Sequence, residues 1–332
     1  MSRTLHAVHQ VSRPTGLPTA ENFAQVTEEI PALADGTALV ENLYLSVDPY
    51  MRQEMDEGGW ELNAPLEGRA LGRVVESRTP ALTVGELVAH RQAWRTHAVV
   101  APDTVRRLPD LPGVPLSAHL SVLGGTGLSA YVGLTRIARL QPGEDLFVSA
   151  AAGGVGSAAG QLARLLGARR VVGSAGSAAK VRHLTERLGY DAAFDHHDAP
   201  VTELLRAAAP DGVDVYLDNV GGDHLEAAID ALRDRGRVAW CGAIAQYNST
   251  QPPAAPRNLF DVVGKSLRLE GFLVRDHLDA QQELYAFLAP HIRSGRVVPD
   301  ETVREGFDQV VGAFLGLFRG ENTGKMIVKL GG

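Results

Sequence analysis

From about Leu116 onward, short apolar runs alternate with helical stretches at intervals of roughly 25 residues, the rhythm of βαβ units. The pattern predicts strands at Asp145–Ser149, Arg170–Ser174, Ala192–Asp195, Val213–Asp218, Arg237–Cys241 and Leu267–Phe272. Between them it predicts helices at Val155–Leu166, Ala179–Leu188, Val201–Ala208 and Asp223–Arg233. Val213-Asp-Val-Tyr-Leu and Arg237-Val-Ala-Trp-Cys read as nearly continuous apolar runs, as expected of strands covered by helices on both faces. Six such strands imply an α/β fold with a doubly wound parallel sheet.

Before Leu116 the texture is different. Ala38–Ser46 alternates in part, Arg73–Glu76 follows a glycine, and Glu86–Val100 mixes apolar and polar residues, all consistent with antiparallel β structure. After about Ala289 a helix over Phe307–Phe318 and a final strand over Lys325–Lys329 are expected to rejoin this first domain. The expected domains are therefore 1–116 with 291–332, and 117–290.

Composition narrows the classes. The chain has 332 residues, 45% hydrophobic and 21% charged, as in an ordinary globular protein of about two domains. Its single cysteine, Cys241, excludes an internal disulfide and any zinc site built on several thiolates. A net charge of −7 without a basic stripe speaks against nucleic acid. The longest apolar run, Val310–Phe318, is far shorter than a bilayer span. A soluble cytoplasmic protein is expected.

The predicted strand at Asp145 runs into Ala151-Ala-Gly153-Gly154-Val155-Gly156 and then into an Ala/Leu-rich helix. This A-x-G-x-x-G spacing demands a tight turn, a close approach to a pyrophosphate, and close helix–strand packing in turn. The helix start then offers free N–H groups to phosphates. A tight turn without a ligand is the plainer alternative. After the next strand, Gly173-Ser-Ala-Gly176-Ser177 carries no carboxylate to bind a ribose 2′-hydroxyl, and Lys180 follows within a turn. A hydroxyl and an ammonium suit a 2′-phosphate, which favours NADP(H) over NAD; a Ser-capped helix with a solvated lysine is the alternative. Glycines 153, 156, 173, 176, 221, 222 and 242 are read as places where backbone turns tightly or approaches the cofactor.

None of the seven tyrosines has a lysine four residues on, which removes the Tyr-x-x-x-Lys chemistry. The order of a β-rich domain, a glycine-rich βαβ domain and a returning tail resembles the medium-chain dehydrogenase/reductases. The motifs Val47-Asp-Pro-Tyr50-Met-Arg52, Ala150–Gly156, Asp218-Asn219-Val-Gly-Gly222, Cys241-Gly242-Ala243-Ile244-Ala-Gln-Tyr247-Asn248 and Asn322-Thr-Gly-Lys325 resemble its zinc-free leukotriene B4 dehydrogenase/prostaglandin reductase branch. That branch includes alkenal and curcumin reductases.

The resemblance implies a Rossmann domain beside a GroES-like catalytic domain and NADPH-dependent reduction of a carbon–carbon double bond conjugated to a carbonyl. Hydride would add to the β-carbon, with the enolate oxygen held by hydrogen bonds. It implies catalytic roles for Tyr247 and Tyr50, and substrate contacts from Tyr50, Arg52, Thr126 and Tyr247, in a cleft between the domains. It implies cofactor contacts from Gly153, Gly154, Val155, Gly156, Ser177, Lys180, His196, Asn219, Cys241, Gly242, Ala243, Ile244, Tyr247, Phe272, Leu273, Val274 and Asn322. Of these, Asn219 is expected at the end of the fourth strand and Phe272, Leu273 and Val274 at the end of the sixth. The expected partners are a small conjugated enone or enal and a second copy of the chain. Quinone reduction and non-catalytic NADPH binding are the rival readings.

Two positions depart from the branch. Gly125-Thr126-Gly127 stands where relatives carry Met-Pro-Gly, which removes bulk beside the substrate mouth. His196, in Asp195-His-His-Asp198, stands where relatives often carry a tyrosine. A metal site there is an alternative to a solvated loop, but no third ligand is evident, and no metal is expected. Cys241 is expected to be a small buried residue ending the fifth strand, with no neighbouring base to activate it.

Overall fold

The computed structural model describes residues 3–251 and 255–331. The chain divides into two compact units. One holds the residues up to Leu120, Thr302–Asn322, and those from Met326 on; the other holds Ser121–Glu301 and Thr323–Lys325.

In the first unit, β1 (Thr4–Gln10) and β2 (Phe23–Glu29) pair antiparallel, with Thr4 opposite Glu29 and Gln10 opposite Phe23. Then come β3 (Ala38–Ser46), the short α1 (Met51–Glu54), β4 (Ala70–Ser77), β5 (Leu87–His90), β6 (His97–Val100) and β7 (Arg106–Arg107). The expected strand over Glu86–Val100 is thus two strands. The break holds Trp94, at φ 58° and fully buried. Its indole stacks on Phe23 at 5.8 Å and meets Trp60 and Phe314 edge-on at 5.7 Å each. The chain leaves β geometry there to drive a large apolar side chain into the core, at the expense of ladder hydrogen bonds.

The second unit contains α2 (Gly125–Val132), β8 (Asp145–Val148), α3 (Gly154–Leu165), β9 (Arg170–Ala175), α4 (Ala178–Arg187), β10 (Ala192–Asp195) and α5 (Val201–Ala208). It continues with β11 (Val213–Asp218), α6 (Gly222–Ala231), β12 (Leu232–Trp240), α7 (Asp261–Gly264), β13 (Arg268–Gly271) and α8 (Gln281–Arg293). The six strands pair in parallel in the order β10-β9-β8-β11-β12-β13. This is the Rossmann order, with its switch point between β8 and β11. Helix α6 ends two residues earlier than the sequence suggests, because Leu232 pairs with Val213 and so belongs to β12.

The tail supplies β14 (Glu301–Glu305), α9 (Gln309–Phe318) and β15 (Lys325–Lys329). The first unit's seven-stranded sheet runs β14-β15-β3-β4-β5-β7, with β6 also on β3. The expected boundary at residue 291 falls inside α8, and residues up to Glu301 stay with the second unit. The Gln161 amide holds them: Nε2 donates to Val298 O at 3.0 Å, and Val298 N donates to Oε1 at 2.8 Å.

Gly173 has a packing role that its sequence reading as a turn or cofactor approach did not include. A Cβ there would stand 2.9 Å from the buried Tyr190 ring, and one at Gly160 would overlap it. The Tyr190 hydroxyl donates to Gly156 O at 2.7 Å, tying β9, α3 and the glycine loop together.

Candidate cofactor site and catalytic residues

The loop between β8 and α3 opens at Ala150, whose φ is 47°. Ala151 N donates to Ser174 O at 2.8 Å and Gly153 N to Ala150 O at 2.9 Å. A Cβ on Gly156 would lie 2.5 Å from Ala151 Cα, so only glycine lets α3 start this close to the strand. Gly153 precedes α3 without any side-chain cap. The amides of Gly154, Val155 and Gly156, in the first turn, have no acceptor within the helix and are suited to anionic oxygens. A Cβ on Gly154 would meet Thr126 Cγ2 at 3.1 Å and Lys325 Cδ at 3.2 Å. Gly324 N donates to Ala152 O at 2.8 Å, so the segment Thr323–Lys325 seals one flank of the loop. Asn322, just before it, belongs to the first unit.

At the end of β9, Ser177 caps α4, its Oγ accepting from Lys180 N at 3.3 Å. The hydroxyl proton remains available to donate. Lys180 is half-buried, and that burial pulls its pKa below the ordinary lysine value. His196 lies against the same turn, with Cε1 3.2 Å from where a Cβ on Gly176 would be. Its Nδ1 bonds to Ala175 O at 2.7 Å. Burial lowers its pKa, and His197 and Lys180 push the same way. Ser177, Lys180 and His196 therefore gather at one turn, and Gly176 and Ser177 bring no carboxylate.

The loops after β11 and β12 are laced together. Cys241 N and Gly242 N donate to Asp218 O at 2.8 and 3.1 Å, and Ile244 N donates to Asn219 O at 3.2 Å. Asn219, one residue past β11, donates from N to Ser149 Oγ at 2.9 Å and from Nδ2 to Ser149 O at 2.8 Å. Buried Asp218 fixes the turn: its Oδ1 accepts from Tyr216 OH at 2.6 Å, Val220 N at 2.9 Å and Gly221 N at 2.8 Å. Ser149 and Asp218 were not singled out from the sequence, although Asp218 begins the quoted Asp-Asn motif.

Tyr247 folds back over its own loop, and its hydroxyl oxygen accepts from Ala243 N at 3.4 Å. Burial, followed by the neighbouring Cys241 and Asp218, raises its pKa, so the phenol keeps its proton at neutral pH. Cys241 lies just past β12, not in it, and is only partly enclosed as a residue. Burial of the thiol itself pushes its pKa up to about 12 despite a hydrogen bond from Ser129, which leaves no thiolate for nucleophilic chemistry. β13 ends at Gly271, so Phe272, Leu273 and Val274 follow the strand and do not end it. Phe272 N still donates to Trp240 O at 3.3 Å, Leu273 is 52% exposed, and Val274 opens a short helical turn.

Thr126 is buried in α2, and its Oγ1 donates to Ser121 O at 3.0 Å. Its hydroxyl proton is thereby engaged, while the oxygen lone pairs can still accept. In the first unit, Arg52 is also hydrogen-bonded within the protein. It is 4% exposed, with Nε on Gly16 O at 3.0 Å and Nη1 on Asp56 Oδ1 at 2.7 Å, which makes it a structural tie. Tyr50 differs. Its hydroxyl is buried facing the Arg91 side chain, though not in good hydrogen-bond geometry, and the Arg69 guanidinium lies 5.6 Å from its ring centre. Burial and then Asp48 raise its pKa, against Arg69 and Arg91.

A polar pocket of about 310 Å³ lined by Asp145, Arg169, Arg170 and Asp211 lies at the N-terminal ends of β8 and β9. Sheets of this type bind ligands at the opposite, carboxyl ends, where the glycine loop, Ser177 and Asn219 stand.

The sequence matches two family models, "N-terminal domain of oxidoreductase" over residues 6–108 and "Zinc-binding dehydrogenase" over residues 154–290. It is 43% identical over 322 residues to prostaglandin reductase 1 of Mus musculus, covering 95% of each chain. The chain belongs to the medium-chain dehydrogenase/reductase family. Within the family it is also similar to the NADP(+)-dependent 2-alkenal reductase of Nicotiana tabacum, at 39% identity over 87% of this chain and 86% of the relative. The structure of Vibrio vulnificus CurA in complex with NADPH superposes with a TM-score of 0.92, at 33% identity, covering 98% of this chain and 99% of the other. The fold is thus that of a protein whose structure was determined in complex with NADPH.

Proposed function

We propose that this protein reduces the carbon–carbon double bond of α,β-unsaturated ketones and aldehydes with NADPH. The observation that carries the reading is the uncapped start of α3 beside Ser177, Lys180 and His196, with no carboxylate on the Gly176–Ser177 turn that would repel a 2′-phosphate. The amides of Gly154–Gly156 would hold the pyrophosphate, and Ser177 and Lys180 the 2′-phosphate, with the His196 ring lying against the same end of the cofactor. Asn219, Cys241–Ile244, Phe272–Val274 and Asn322 line the remainder of the cofactor. NADPH bound there would supply a hydride to the β-carbon, with negative charge on the carbonyl oxygen until a proton from water reaches the α-carbon.

The chain's part is to stabilise that charge. Tyr247, still protonated at neutral pH, donates to the developing enolate oxygen. Tyr50 supplies a second phenol, which lies beside the Arg91 and Arg69 guanidiniums. Neither step requires zinc, and a single cysteine is too few for the family's thiolate-rich metal site. Among the described residues no helix is long and apolar enough to cross a membrane; a cytoplasmic setting is part of the proposal. So is a homodimer formed at β13, the outer strand of the parallel sheet. Arg268 and Glu270 flank Leu269 there, so two antiparallel copies would set Arg268 against Glu270.

Steady-state oxidation of NADPH with a panel of conjugated enones and enals, with product analysis, tests the activity. Saturated ketone or aldehyde is the expected product. Hydroquinone formation alone, or tight NADPH binding without turnover, would overturn it.

A further inference from the structure

We propose that Asp195, His196 and His197 form a binding site for one divalent first-row transition ion of the zinc or nickel class. Each of the three offers a ligand atom, and these atoms all lie within 4.8 Å of one another. The third ligand that the sequence did not reveal is Asp195, the first residue of the same tetrapeptide and the last of β10.

Three features show the group arranged as a metal site is arranged. First, His197 Nδ1 is hydrogen-bonded to Asp195 Oδ1 at 3.0 Å, so the two groups already face each other and an ion would replace the shared proton. Second, His196 Nδ1 bonds to the carbonyl of Ala175, which can only accept, so Nδ1 carries the hydrogen and Nε2 keeps its lone pair. Ligating histidines are oriented and fixed in tautomer by such a bond to a backbone carbonyl. Third, both rings crowd Gly176, where a Cβ would stand 3.2 Å from His196 Cε1 and 3.4 Å from His197 Cε1. The glycine leaves room for the two imidazoles, whose centres are 4.1 Å apart.

Two imidazoles and a carboxylate favour zinc, nickel or cobalt over the oxygen-preferring calcium and magnesium. The His197 side chain is 66% exposed, which gives the ion a path in from solvent. Three protein ligands leave further coordination positions for water.

Tag-free protein without cofactor is titrated with cobalt(II) chloride, followed by visible absorption, and with zinc chloride by calorimetry. One ion per chain is expected. Asp195→Asn and His197→Gln should each weaken binding by about 10–100-fold or more. His183→Gln, which removes the separate His183–Asp300 pair, should leave it unchanged. The exposed His197→Gln variant, checked for an unchanged far-ultraviolet spectrum, keeps the test independent of folding. No saturable binding, or equal affinity in the folded His197→Gln protein, would overturn the proposal.

Discussion

Ala243 N donates to the phenolic oxygen of Tyr247 across 3.4 Å. The contact uses an acceptor lone pair and leaves the hydroxyl proton free, so the loop positions a donor without consuming it. Tyr247→Phe should therefore lower kcat by about 10²–10³-fold, the usual loss for one oxyanion donor. NADPH affinity should stay within about twofold of the parent. Single-turnover reduction of an enone, with separate cofactor titration, checks this; unchanged kcat removes Tyr247 from the mechanism.

Lys180 begins α4 beside Ser177 and His196. A charge-assisted bond to a 2′-phosphate is worth about 1.5–3 kcal/mol. Lys180→Ala should thus weaken NADPH binding by about ten- to a hundredfold and NADH binding by much less. Fluorescence titration with both cofactors decides it, and equal losses would rule out the 2′-phosphate role.

Two glycines should respond in opposite directions. Gly156→Ala places a methyl 2.5 Å from backbone atoms of Ala151. Overpacking against backbone should destabilise by about 1–3 kcal/mol or more and shift the start of α3, weakening NADPH binding as well. Gly312, exposed inside α9, has nothing within 4 Å of its Cβ position. Gly312→Ala should stabilise by up to about 1 kcal/mol through helix propensity alone. Thermal melts of the two variants give the comparison.

Asp145 starts β8 almost fully buried. Its Oδ2 accepts from Arg169 at 2.5 Å and from Arg233 at 2.7 Å. Burial by itself would raise its pKa, but the hydrogen bonds from the two arginines hold it below the ordinary value. A depressed folded-state pKa stabilises above the unfolded value and loses that contribution as pH falls through the folded one. Asp145→Asn should therefore cost about 2 kcal/mol at neutral pH. The difference from the parent should shrink in acid, below the ordinary carboxylate range. Urea unfolding at several pH values measures it; a gap that widens in acid contradicts the assignment.

The parallel sheet was legible because each of its strands is a local apolar run beside a helical stretch. The six expected strands correspond to β8–β13 with ends moved by a few residues, and β12 starts five residues earlier. The β1–β2 pair and the break at Trp94 were not legible. Both depend on partners distant in sequence: Gln10 meets Phe23, and Trp94 meets Phe314. In the site, the glycine loop could be read from spacing, whereas Tyr190 filling the space over Gly160 and Gly173 could not. Asp195 was in view in the tetrapeptide, but only the fold of the turn brings its carboxylate to His197.

The sequence by itself determined the βαβ rhythm, the A-x-G-x-x-G loop, the missing carboxylate after β9 and the shortage of thiolates. These follow from residue identity and short-range order. Tertiary structure decided which polar groups remain free for chemistry. Thr126 donates its hydroxyl proton to Ser121 O and Arg52 donates to Gly16 O and Asp56, while the Tyr50 hydroxyl is buried beside the Arg91 side chain. A buried polar group takes whatever hydrogen-bond partner packing brings within reach, and at these positions packing sets which side chains can still donate to a ligand.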